Sequence, residues 1–257
     1  MRYDGGMLQY HVKTFELVGE VPRVSQASLE ELSRLEQLLG KRLPPSLVEW
    51  YSLGGACDLL RRYSNGDPPV PIAELGRDRS GGITEELARD NLLVFRHENQ
   101  GVCTWAVKLD GSDDPPVIVD YDTGFREHTL CAPSFSSHVY SWVWDYTFVL
   151  HRELTVQAQN GPLSGEAWAF LRAHFAAGPE THGWPGRNQY RFEGSNQWIL
   201  IWADDKQADW WLAAEDSDDL ARLIESVWDV DQVGRSLWSH REEGELILRR
   251  IRNARMT

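Results

Sequence analysis

Histidines, cysteines and clustered carboxylates are the side chains with which this chain could do chemistry, and their spacing argues against most of it. His97-Glu98-Asn99-Gln100-Gly101 opens like a zinc-protease helix. The second His, one helical turn on, is missing, so two ligands cannot share a face. His97 is read as a loop residue at a strand end. Gly40-Lys41-Arg42 lacks the upstream Gly and the Ser/Thr of a phosphate cradle. No G-x-G-x-x-G, no G-x-S-x-G elbow and no H-x-E with P-C-x-x-C occurs. Asp110 to Asp114 is acidic, but Pro115-Pro116 and the spacing exclude a calcium loop. Cys57, Cys103 and Cys131 are odd in number and far apart, which argues against a disulfide framework or zinc knuckle. Cys103 sits in a strand pattern, where a small buried hydrophobe is expected rather than a nucleophile. The eight histidines stand at no diagnostic interval from a Cys or carboxylate. A dyad assembled only by folding stays open. No cofactor and no metal are expected.

Charge and aromatic content point elsewhere. The 257 residues carry a net charge of −13 and twelve tryptophans. That charge repels phosphates and anionic membranes and attracts basic partners. It also serves plain solubility. Twelve tryptophans exceed what a core of this size needs, so some are expected at a contact surface. Between Asp204 and Asp231 ten acidic residues face only Lys206 and Arg222, a local balance of −8. Trp202, Trp210, Trp211 and Trp228 share the stretch. Aromatic anchors beside steering carboxylates suit a protein interface. The expected partner-binding residues are therefore Asp204, Asp205, Asp209, Trp210, Trp211, Asp218 and Asp219. Two bland effects compete. Asp216, Asp218 and Asp219 stand at an expected helix start, where carboxylates are favoured anyway. One of Trp210 and Trp211 must face the core if the strand alternates.

The elements that must position these residues follow from periodicity. Ser28 and Glu31 fit a capping box, Leu32, Leu35 and Leu39 recur at helical spacing, and Gly40 fits the stop. Pro44-Pro45 opens a second helix with Leu47, Trp50 and Tyr51 on its apolar face, ended by Gly54-Gly55. Residues 61–90, with Asn65-Gly66, Pro68-Pro69 and Gly81-Gly82, read as a long loop with a short helix near Glu85–Ala88. Leu92–Phe95, Val102–Leu109 and Val117–Tyr121 then read as three strands of an antiparallel meander. Asp110-Gly111 and Asp122-Thr123-Gly124 supply its turns. A helix over Ser136–Leu150 packs one face on the sheet. The pattern restarts near 152. Helices are expected over Ser164–Phe175 and from Asp216 or Ser217. Strands are expected at Gln189–Phe192, Gln197–Ala203 and Ala208–Ala214, and Arg249 to Arg255 form a basic end.

The run from Leu35 through Gly40, Leu43-Pro44-Pro45 and Leu47, then Trp50-Tyr51 and Gly54-Gly55, resembles the opening of the SUKH superfamily. Trp105–Leu109, Asp110-Gly111 and Pro116-Val117 resemble its central strands, and the helix near 135–150 its closing helix. The superfamily includes yeast cell-wall regulators and bacterial immunity proteins. The resemblance covers about residues 25–150. It implies an α+β fold, with helices on a mainly antiparallel sheet, and a role in binding and neutralising a toxin of nuclease or deaminase class. Gly40, Leu43, Pro44 and Gly55 match as structural positions. The expected organisation is a SUKH-like domain over 1–151 and a C-terminal α+β subdomain or extension over 152–257. The expected function is a non-enzymatic protein-binding protein, its partner a basic toxin domain. A regulatory scaffold and an unrecognised enzyme are the alternatives. With no signal peptide or apolar span, a cytoplasmic location is expected. The oligomeric state is not fixed by sequence.

Overall fold

The computed structural model describes residues 2, 3, 6–19, 23–56, 58, 67, 69–121, 124–183 and 186–256. Cys57, the Asn65-Gly66 turn, Pro68, Asp122 and Thr123 lie outside them. The chain is α+β and divides into two compact units, Met1–Val143 and Trp144–Thr257.

The first unit opens with β1 (Arg2–Tyr3), β2 (Gly6–Met7) and α1 (Val12–Val18). Helix α2 (Gln26–Leu39) starts one turn before the Ser28 capping box. Ser25, in extended backbone, is its cap, and its hydroxyl accepts from the Ser28 N–H at 3.2 Å. Gly40 ends the helix at φ 61°, a left-handed conformation that glycine adopts without a Cβ clash. Helix α3 (Pro45–Ser52) begins on proline, whose missing N–H costs nothing there. A 3₁₀ turn (Ile72–Glu74) and α4 (Glu85–Asp90) follow.

The sheet has four antiparallel strands in the order β3 (Leu92–His97), β4 (Thr104–Lys108), β5 (Val117–Asp120), β6 (His128–Ala132). The fourth strand escapes sequence reading because His128, Thr129 and Leu130 are all exposed and show no alternation. Asp110-Gly111 is no two-residue hairpin. Pro115 and Pro116 cannot donate to a ladder, so β5 starts only at Val117 and an eight-residue loop results. Helix α5 (Phe135–Asp145) lays Phe135 and His138 edge-on against Phe95, at 5.1 and 5.5 Å between ring centroids. Arg96 is buried with its guanidinium over the rings of Trp105 and Trp142 and an ion pair to Asp67 at 3.2 Å.

In the second unit, a π-helical turn (Tyr146–Leu150) leads to β7 (Thr155–Asn160), α6 (Gly165–His174), β8 (Ala176–Ala177) and β9 (Thr181–Gly183). Next come β10 (Arg187–Gly194), β11 (Gln197–Ala203), β12 (Ala208–Ala214), α7 (Ser217–Val227), α8 (Val233–Ser236) and α9 (Glu242–Met256). The sheet runs β7-β12-β11-β10-β8, with β9 also on β10, and every pairing is antiparallel. One face carries Val156, Phe192, Ile199, Ile201, Trp210 and Leu212. It shares a core with Leu220, Leu223 and Ile224 of α7 and Ile247, Leu248 and Ile251 of α9. Asp216 caps α7, its carboxylate accepting from the Asp219 N–H.

Candidate protein-binding surface

Strand pairing fixes which side chains share the other face of the second sheet, because directly opposed residues point the same way. Gln189, Trp202, Asp209 and Gln159 form one row across β10, β11, β12 and β7. Arg191, Leu200, Trp211 and Gln157 form the next. Glu193, Trp198 and Ala213 follow. The last residues of α5 and the segment after it cover this third row and part of the second. Phe148 stacks on Trp198 at 4.9 Å, Arg152 lies over the same ring, and the Trp144 indole N–H donates to Glu193. Arg191 is buried and bidentate to Asp145, at 2.6 and 2.7 Å. Trp202 and Trp211 stay half-buried, their rings 4.9 Å apart.

Against this geometry the expected contact residues separate. Trp210 is fully buried, and its indole N–H donates to Asn160 at 2.9 Å. It belongs to the core, and Trp211 takes the outward place the alternation left for one of the two. Asp209 is bound by Arg187 and accepts from Gln159 at 2.7 Å. Asp204 accepts from the Lys206 and Gln207 N–H groups and pairs with Arg187 at 3.2 Å. Those backbone donors, ahead of Arg187, hold its carboxyl below the usual range. Asp219 is buried and paired with Arg222. Glu215 pairs with Arg152 at 2.7 Å, and Asp231 accepts from the Ser164 N–H at 3.0 Å. Asp205 and Asp218 remain exposed. Arginines thus meet Asp204, Asp209, Glu215 and Asp219, and counting Arg152 and Arg187 brings the local balance from −8 to −6. Arg152 and Arg187 lie outside the window; Arg187 arrives on β10 and Arg152 from the segment that precedes β7. The signal that could have found Arg187 is the alternation running on through β10.

The chemical candidates resolve likewise. Glu98 is buried, its carboxylate turned back on the Gln100 and Val102 N–H groups at 2.7 and 3.3 Å. Burial pushes the Cys103 thiol up to about 12, so it stays protonated at neutral pH. Folding brings the Cys131 Sγ to 3.5 Å from the His138 Nδ1, a contact between β6 and α5 with both side chains buried. Among the described residues no group of three or more His, Cys, Asp or Glu could hold a metal ion, and no helix is long and apolar enough to cross a membrane.

Residues 26–139 match the family model described as the SMI1 / KNR4 family (SUKH-1). The SUKH resemblance thus holds over a segment of the first unit, and the α+β architecture agrees with it. No curated protein and no solved structure matches the chain.

Proposed function

We propose that this chain is a non-catalytic, cytoplasmic immunity protein that neutralises a cognate bacterial toxin, a basic domain of nuclease or deaminase class. The observation that carries the reading is the match of residues 26–139 to a SUKH family, whose members bind partner proteins. Excess negative charge complements a surface built to hold phosphates. Residues 152–257 are proposed as an appended α+β domain, with the uncovered part of that sheet face, around Trp202 and Trp211, as the toxin contact. Trp211 and Trp202 are the aromatic anchors, and Asp204, Asp205, Asp209 and Asp218 supply steering charge. Trp210 and Asp219 are left out because both are buried.

The test is capture of partners on the tagged full-length chain, eluted with a salt gradient. One basic, stoichiometric partner with a toxin-like domain supports the reading. Several modest-affinity host proteins would replace it with a regulatory scaffold. With the partner in hand, Trp211→Ala should weaken binding by about 2 kcal/mol, the scale of an interface anchor. Asp205→Lys with Asp218→Lys should mainly slow association. Unchanged affinity and rates in both would remove the site assignment.

A further inference from the structure

The first sheet also has an outer face, and a cleft of about 220 Å³ opens on it. Strand register places His97, Thr104, Asp120 and His128 in one row across all four strands. The first three line the cleft. Val94 and Phe125 give it apolar walls, part of a small cluster with Leu92, Ala106 and Ile118. Glu74, Arg77, Thr84 and Glu86 complete the lining from the segment that precedes the sheet.

Three features describe what fits. First, the size is small. Ligand pockets for drug-sized molecules run from about 300 to 1,000 Å³, so this one holds a single side chain rather than a cofactor. Second, the charge is negative. Glu74 and Glu86 line it with one guanidinium, that of Arg77, while burial lowers the His97 pKa and disfavours its charged form. Third, the polar groups are acceptor-rich. The Thr84 hydroxyl oxygen is buried with no hydrogen-bond partner among the described residues, and the Thr104 hydroxyl, 3.3 Å from the His97 Nδ1, adds a second oxygen. A guanidinium offers five donors in a fixed fork on an apolar stem, which answers several acceptors above hydrophobic walls.

We propose that this cleft receives an arginine side chain of the protein partner. The proposal deepens the protein-binding reading and rests on it for the source of the arginine, but the cleft can be tested without any partner. The probe is N-acetyl-arginine-methylamide, titrated into the full chain with amide and imidazole NMR shifts as readout. Millimolar, saturable shifts are expected at Thr84, Glu86, His97 and Thr104. N-acetyl-norleucine-methylamide, which keeps the stem and lacks the charge, should leave them in place. Glu86→Gln, on an exposed helix, should weaken the response about tenfold, and Glu74→Gln serves if the first variant fails to fold. Equal shifts with the neutral probe, or none with arginine amide, would overturn the cleft assignment while leaving the protein-binding reading intact. If arginine amide binds and no protein partner is captured, the cleft stands and the protein-binding reading falls.

Discussion

The two units use the same kinds of residue in opposite ways. In the first, Trp50, Trp105 and Trp142 are all buried. In the second, Trp144 and Trp210 are buried, while Trp168, Trp198, Trp202, Trp211, Trp228 and Trp238 all keep some exposed surface. The first unit holds the buried Arg96 between aromatic rings and the second holds the buried Arg191 in a bidentate carboxylate pair. Counting tryptophans therefore says little about contact surfaces. What matters is which row of which strand each one occupies.

The contrast can be broken or sharpened by substitution. The largest effect is expected for Arg191→Met, which takes the bidentate partner from the buried Asp145 and should cost about 3–5 kcal/mol in chemical denaturation. Adding Asp145→Leu should recover most of the loss. An uncorrected double variant would show that the pair acts through geometry and not charge. Trp210→Ala is expected to cost a similar ~3–5 kcal/mol, against under ~1 kcal/mol for its neighbour Trp211→Ala. Equal losses would erase the distinction between core and surface tryptophans. In α8, a Cβ on Gly234 would collide with the Trp228 ring. Gly234→Ala should thus force that indole aside at about 1–3 kcal/mol, visible as changed tryptophan fluorescence.

The smallest effect is a pH dependence in the first unit. His11 is fully buried, with its Nε2 2.9 Å from the Ser46 carbonyl oxygen and its ring edge-on to Trp50 and Phe135. Burial lowers its pKa, against weaker opposing effects of that carbonyl and of Glu49 and Asp114. The unfolded chain then binds the proton more readily, so stability is complete above about 6.5 and falls as pH drops below it. Melting temperatures at pH 7.5 and 5 should differ less in His11→Phe than in the parent. His97 and His151 are shifted in the same direction, so part of the slope should survive. An unchanged slope would acquit His11.

Much of the architecture is legible from spacing alone. Strands β11 and β12 occupy Gln197–Ala203 and Ala208–Ala214, the ranges expected from the sequence, because each is a short, mostly apolar run between polar turn segments. Strand β7 hides because Val156 and Ala158 are its only apolar residues, too few and too small to make a pattern. The site is less legible for a related reason. Charge counted along the chain gives a bare acidic stretch, yet Arg187 answers Asp209 from 22 residues away. Periodicity is a local property and survives reading in one dimension. Ion pairing depends on register and does not.

The Asp145–Arg191 pair also has a meaning in time. The two residues are 46 positions apart, and β7, the first long strand of its sheet, pairs with β12, the last. As the chain leaves the ribosome, the carboxylate at the end of α5 emerges well before its arginine, and β7 waits for a partner made still later. The second unit is thus assembled late and nearly all at once, and until then a charged helix end and an unpaired strand stand open to whatever chaperone or stray strand meets them first.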